Sequence, residues 1–140
     1  MGKEFLFFWW ELSESEVHFH ITSLTEKRIL KRKTSLSAII KDFTETMKNH
    51  YGDRLSKIIL YGSYARGDFN EESDIDFLVL LNDEEVRTSK EILNIGDKLY
   101  DLSVSFLTMI SARVIPQFHY EKYDNLFFRN IKKDGLLIYG

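Results

Sequence analysis

Residues 62–81, GSYARGDFNEESDIDFLVLL, constrain this chain more than any other segment. They follow an apolar run, LSKIILY, and put Gly62-Ser63 directly after it. They then put Asp74 and Asp76 at the head of a second apolar run, FLVLL. Side chains at i and i+2 on a strand point to the same face. The two carboxylates are therefore spaced to share a divalent cation. A Gly-Ser turn leading into a helix offers backbone N–H groups to a phosphate. A phosphate grip and a pair of acids, about a dozen residues apart, outline a site for phosphoryl or nucleotidyl transfer.

The neighbouring residues sharpen the outline. Phe77-Leu78-Val79-Leu80-Leu81 reads as a buried central strand. Carboxylates at the mouth of such a strand repel one another unless a cation neutralises them. That argues against acids that only solubilise a loop. Gly62 lets the backbone approach a ligand and tolerates unusual φ. Ser63 can donate both its N–H and its hydroxyl to a phosphate. Arg66 either reaches the phosphate chain or pairs with Asp68 or Glu72. Gly67 permits a turn, and Ser73 is expected to hydrogen-bond the loop and fix the approach to Asp74.

The rest of the chain supplies a frame. With 140 residues, 14% aromatic content and eleven Phe, one domain can bury a core without staples. There is no cysteine, which excludes disulfides and thiol catalysis. A net charge of −3 with no block of five like charges argues against a strongly electrostatic nucleic-acid binder and leaves room for a local basic patch. The apolar run Phe5–Trp10 is far shorter than the ~20 residues that span a membrane, and reads as a strand or added structural segment. Val17, Phe19 and Ile21 alternate as in a strand, with His18 and His20 on the other face; a solvated face outweighs a metal pair. The basic run 26–33 reads as a solvated linker or helix face, with a phosphate contact as the sharper option.

Leu36, Ile39, Ile40, Phe43 and Met47 predict an amphipathic helix, capped by Thr34 or Ser35 and ended by Gly52. A strand over 56–61, a short helix near 64–66 and a strand over 74–81 follow. A helix is predicted over 88–99, a third strand over 100–109, a helix over 125–133 and a strand over 136–139. Residues 111–123 are ambiguous. Residues 1–33 are expected to form an extension packed on a domain comprising residues 34–140. The order is that of an α/β chain with a mixed sheet.

Gly62-Ser63, Ala65-Arg66-Gly67 and Ser73-Asp74-Ile75-Asp76 together resemble the motif of the DNA polymerase β-like nucleotidyltransferase superfamily. Within it they are most similar to the minimal nucleotidyltransferases, small proteins often encoded beside HEPN-domain toxins. The motif covers fifteen residues, and a looser likeness runs from Leu36 to the C-terminus. The resemblance implies the nucleotidyltransferase fold, a small mixed sheet with helices packed on one face. It implies ATP as nucleotide substrate and two Mg²⁺ ions, with Mn²⁺ as the substitute. Asp74 and Asp76 would be catalytic metal ligands, and Gly62, Ser63, Arg66 and Ser73 would bind the nucleotide.

The superfamily adds a third carboxylate from a neighbouring strand. On the strand expected over 100–109, Asp101 shares a face with Ser103 and Ser105 and is the only acid there. Asp101 is therefore the expected third metal ligand and catalytic acid. If the family position falls at Ser103, that acid is missing. The resemblance further implies a cytoplasmic antitoxin that adenylylates a tyrosine on a HEPN partner, with no membrane and no main nucleic-acid partner. The alternative is a weakened, nucleotidyltransferase-like module that neutralises its partner by contact. Antibiotic nucleotidylation is disfavoured, because no extra substrate domain is present. The acceptor and the oligomeric state are not fixed by sequence.

Overall fold

Nothing in the sequence between Glu14 and Tyr51 stops a helix: the segment contains neither glycine nor proline. In the computed structural model, which describes residues 13–140, this segment is one helix of 38 residues, α1 (Glu14–Tyr51). It ends where expected, at Gly52, whose φ of +54° terminates it. Its start is a correction. Residues 17–22 are helical rather than extended, and no cap operates at Thr34 or Ser35. The apolar run 5–10 lies outside the described residues. So do the side chains of His18 and His20 and nearly all of the 26–33 basic run.

Contacts divide the chain into two units, Met1–Ala38 and Ile39–Gly140. The first contributes the N-terminal part of α1. The second holds a four-stranded mixed sheet in the order β3-β2-β1-β4. A 3₁₀ turn (Gly52–Arg54) leads into β1 (Leu55–Tyr61). A four-residue helix, α2 (Ser63–Arg66), and a polar loop return the chain antiparallel as β2 (Ile75–Leu81). Helix α3 (Thr88–Phe106) is the crossover to β3 (Ile110–Pro116), which is parallel to β2. Helices α4 (Gln117–Lys122) and α5 (Leu126–Asp134) precede β4 (Leu136–Tyr139), antiparallel to β1.

The two sheet faces are filled separately. On one, the ring of Phe43 stacks on Phe77 at 3.9 Å, beside Met47, Ile58, Leu60, Val79 and Ile95, all fully buried or nearly so. Thr88 Oγ1 donates to the Val114 carbonyl at 2.9 Å and ties the start of α3 to β3. On the other, Ile59, Leu78, Leu80 and Ile131 cluster beneath Tyr61, Ile115, Tyr120 and Phe127. Residues 39–51 of α1 and helix α3 thus share a face, and the short C-terminal helices cover part of the opposite one. Among the described residues no helix is long and apolar enough to cross a membrane.

The third strand is the main correction. Residues 100–106 continue α3, and the strand beside β2 begins only at Ile110. Ile95, Leu99, Leu102 and Phe106 recur at helical spacing, so the helix competes successfully with the alternation of Leu102, Val104 and Phe106. Leu107, in the left-handed region at φ +51°, ends the helix. Ser103 then pins the turn: its Oγ donates to the Leu99 carbonyl at 2.8 Å and accepts from Ile110 N–H at 3.1 Å.

Candidate active site

The site forms where β1 ends and β2 begins. Tyr61 pairs with Asp76, so the turn after β1 lies beside the head of β2. Gly62 has φ +76° and ψ −157°, a combination open in practice only to glycine. Its carbonyl accepts the N–H groups of Ala65 and Arg66, both at 3.1 Å, and this bends the chain into α2. In this first turn helix geometry provides no internal partner for the amides of Ser63 and Tyr64. Gly67, at φ +83°, closes the short helix.

Gly62 also fits against Asp76. A Cβ on Gly62 would lie 2.5 Å from Asp76 Oδ2. The other oxygen, Oδ1, accepts from Ser111 Oγ at 2.6 Å. Ser111 is directly opposite Asp76 in the β2–β3 register. Asp74 stands exposed one position before β2, and Asp76 is half-buried within it. Between turn and acids the loop folds on Asn70. Asn70 Oδ1 accepts from Glu72 N–H at 2.9 Å, and Asn70 N–H donates to Ser73 Oγ at 2.9 Å. Tyr64 and Phe69 stack at 4.2 Å over the same stretch.

Tyr61, Phe127 and Arg113 border the acids on the same sheet face. Tyr61 and Phe127 meet edge to face at 5.4 Å, and the Arg113 guanidinium lies 4.5 Å from the Phe127 ring centre. Burial pushes the Tyr61 phenol above its ordinary pKa; Asp76 adds to the rise and Arg113 opposes it. A cavity of about 220 Å³ opens beside the turn, between Tyr61, Gly62, Arg66 and the α5 residues Phe127, Asn130, Ile131 and Asp134. Two larger hollows lie elsewhere, one at the far end of β2 and one between α3 and the start of β3.

The sequence from residue 36 to residue 133 matches the family model described as the nucleotidyltransferase domain. The chain belongs to the nucleotidyltransferase domain family. It is 35% identical over 109 residues to a Methanocaldococcus jannaschii protein named "putative protein adenylyltransferase", covering 71% of this chain and 94% of that one. A second protein of that name from the same organism is 42% identical over 73 residues, 48% of this chain and 72% of the relative. The fold resembles a crystal structure of a toxin–antitoxin with AMP-PNP. The TM-score is 0.53 at 17% identity, over 72% of this chain and 73% of that one.

The structure of this nucleotidyltransferase brings some expected site residues together and leaves others apart. Gly62, Ser63, Asp74 and Asp76 converge at one end of the β1–β2 pair. Ser73 hydrogen-bonds the loop through Asn70, as expected. Arg66 Nε donates to Asp68 Oδ2 at 3.2 Å, the pairing alternative, and its side chain is 46% exposed. Asp101 is the correction. It is exposed on α3 rather than on the sheet, because the helix runs through the residues expected to be extended. Among the described residues no three His, Cys, Asp or Glu side chains gather as a metal site, so Asp101 does not complete one with Asp74 and Asp76.

Sequence reasoning missed Ser111, Arg113, Tyr61, Phe127 and Asn70. The signal for Ser111 existed: Ile110, Ala112 and Val114 alternate with Ser111, Arg113 and Ile115 up to Pro116. The donor set fits one Mg²⁺. That ion takes one or two carboxylates, keeps several waters and accepts substrate phosphates. With no Cβ at Gly62, the Asp76 Oδ2 oxygen is not crowded by a side chain from the turn.

Proposed function

We propose that this protein transfers AMP from ATP to a hydroxyl group of a partner protein, with Mg²⁺ held by Asp74 and Asp76: the hydroxyl oxygen bonds to the α-phosphorus, the bond to the β-phosphate breaks, pyrophosphate leaves and the hydroxyl proton passes to solvent. The observation that carries the reading is the fit of the Gly62 turn against the Asp76 carboxylate. It joins a phosphate-binding turn to a metal-binding acid with no side chain between them. Asp74 precedes β2 by one position, and extending the strand's alternation back to it would put it on the side of Asp76. Ser63 and the first amides of α2 meet the triphosphate, and Arg66 reaches it by leaving Asp68. Bound Mg²⁺ would neutralise charge on the phosphates. The chain's own contribution is to hold the nucleotide against the acids. The names of the M. jannaschii relatives support protein adenylylation.

The partner in this reading is a HEPN-type toxin modified on a tyrosine, in the cytoplasm, with this chain as its antitoxin. Residues 34–140 form the transferring domain and residues 1–33 an extension to it. Titration calorimetry with ATP and Mg²⁺ tests the site: the double variant Asp74→Asn, Asp76→Asn should lose metal-dependent binding while its circular dichroism is unchanged. Unaltered binding by that variant would sink the assignment.

One observation favours a second reading, neutralisation by contact with little transfer. Ser111 stands beside Asp76, where the superfamily's third acid is expected. Radiolabelled ATP and a cognate partner separate the two. Label on the partner supports transfer; rescue of growth without label supports contact.

A further inference from the structure

β2 has two neighbours, β3 and β1, and these supply the side chains in register beside Asp76 on its face. The row across the sheet reads Ser111, Asp76, Tyr61. The next row begins with Arg113 opposite Leu78. Neither row supplies a second carboxylate beside Asp76, and no third acid or histidine gathers there from elsewhere among the described residues. We infer that this site binds a single divalent cation together with its nucleotide, Ser111 and Arg113 replacing the group that would hold a second. The inference rests on the nucleotidyl-transfer reading above and deepens it.

Two features of the site support it. Ser111 is a neutral hydroxyl already committed to Asp76 Oδ1 at 2.6 Å. A hydroxyl that donates to a carboxylate stabilises its charge without adding a negative ligand. A second Mg²⁺ would therefore lack the hard, charged oxygen that two-cation sites provide. The second feature is Arg113. Its side chain is held over Phe127 and has no carboxylate partner within ion-pair distance among the described residues. Two divalent ions on three carboxylates leave the same net charge as one divalent ion and one guanidinium on two. The guanidinium thus supplies the positive charge that the second ion would bring to the phosphates.

Electron paramagnetic resonance of Mn²⁺, with AMP-PNP as the unreactive nucleotide, counts the ions directly. The full chain should retain one Mn²⁺ per AMP-PNP at saturation, and Ser111→Asp, which restores a carboxylate beside Asp76, should raise the count to two. Two ions in the unaltered chain would overturn the inference and leave the transfer reading standing. Neither Mn²⁺ nor AMP-PNP retained would remove the transfer reading and the inference with it. A Ser111→Asp protein that keeps its circular dichroism but still holds one ion would also overturn it. Should that variant not fold, Arg113→Gln gives an independent measure. It should keep the count at one and weaken AMP-PNP binding by about tenfold. Unchanged affinity would overturn the role given to the guanidinium.

Discussion

Gly62 meets two demands at once, and they can be measured separately. Its φ of +76° strains any other residue, and a Cβ would strike Asp76 Oδ2. Gly62→Ala should therefore cost about 1–3 kcal/mol of stability from the backbone alone, read as a lower urea midpoint. It should also displace the Asp76 carboxylate and weaken Mg²⁺-dependent ATP binding. An unchanged midpoint would contradict the strain. Ser63→Ala should leave stability nearly unchanged. It should weaken ATP binding by about 0.5–1.5 kcal/mol for one lost hydrogen bond, or up to ~3 if the hydroxyl meets a charged oxygen. A nucleotide-bound structure with Ser63 turned from the phosphates would count against that role. These residues were legible in sequence because glycine and paired acids have few other uses between two apolar strands. For Ser111 only the strand was legible, through the alternation of residues 110–115; its place beside Asp76 was not, because a serine looks like any serine until strand pairing is known.

At the scale of elements, Arg54 fastens the end of the sheet opposite the acids. It leaves the 3₁₀ turn and bonds Asp83 twice through Nε and at 2.8 Å through Nη2, and it reaches Glu91 on α3 at 3.0 Å. Glu91 is only 8% exposed, and its second oxygen has no hydrogen-bond partner. Arg54→Met would strand that carboxylate and should cost about 1–3 kcal/mol in chemical denaturation. Arg54→Met combined with Glu91→Gln should recover part of the loss. No difference between the single and double variants would remove Glu91 from the account. The Arg54 hydrogen bond also holds the Asp83 carboxyl below its usual range. Its folded pKa is depressed, so this contribution is present above the ordinary carboxylate pKa of about 4 and is lost as pH falls.

Tyr51 has the opposite sign. Burial and then Glu91 push its phenol well above the ordinary value, although the geometry of the two groups falls short of a hydrogen bond. Its folded pKa is raised, so stability should decline as pH climbs past about 10. Tyr51→Phe should flatten that decline in urea midpoints taken from neutral to strongly alkaline pH. An identical alkaline slope would contradict it. Element limits were legible where a glycine or a sharp change of period marks them, as at Gly52, Tyr61 and Leu136–Tyr139. They were hidden where two periods fit the same residues. Leu102 and Phe106 suit a strand and a helix equally, and the stop at Leu107 carries no glycine to announce it.

For the molecule as a whole, sequence motif, family match and fold agree on a nucleotidyltransferase, and the mixed sheet was legible from the order of its elements. What one sequence could not show was which residues, distant along the chain, lie side by side. That distance has a consequence for how the protein comes into being. The turn at Gly62 and the acids of β2 belong to one local pair of strands. Ser111 joins Asp76 from 35 residues further along, across a helical crossover. Closing the longer loop costs more chain entropy, and parallel pairing comes later for that reason. The Gly62 turn and the acids should therefore come together before Ser111 joins them. Pulsed hydrogen exchange during refolding should show β1 and β2 amides protected ahead of those of β3, and simultaneous protection would refute this order. Added MgATP should speed refolding if the early hairpin already grips it, making the nucleotide a participant in the birth of its own site.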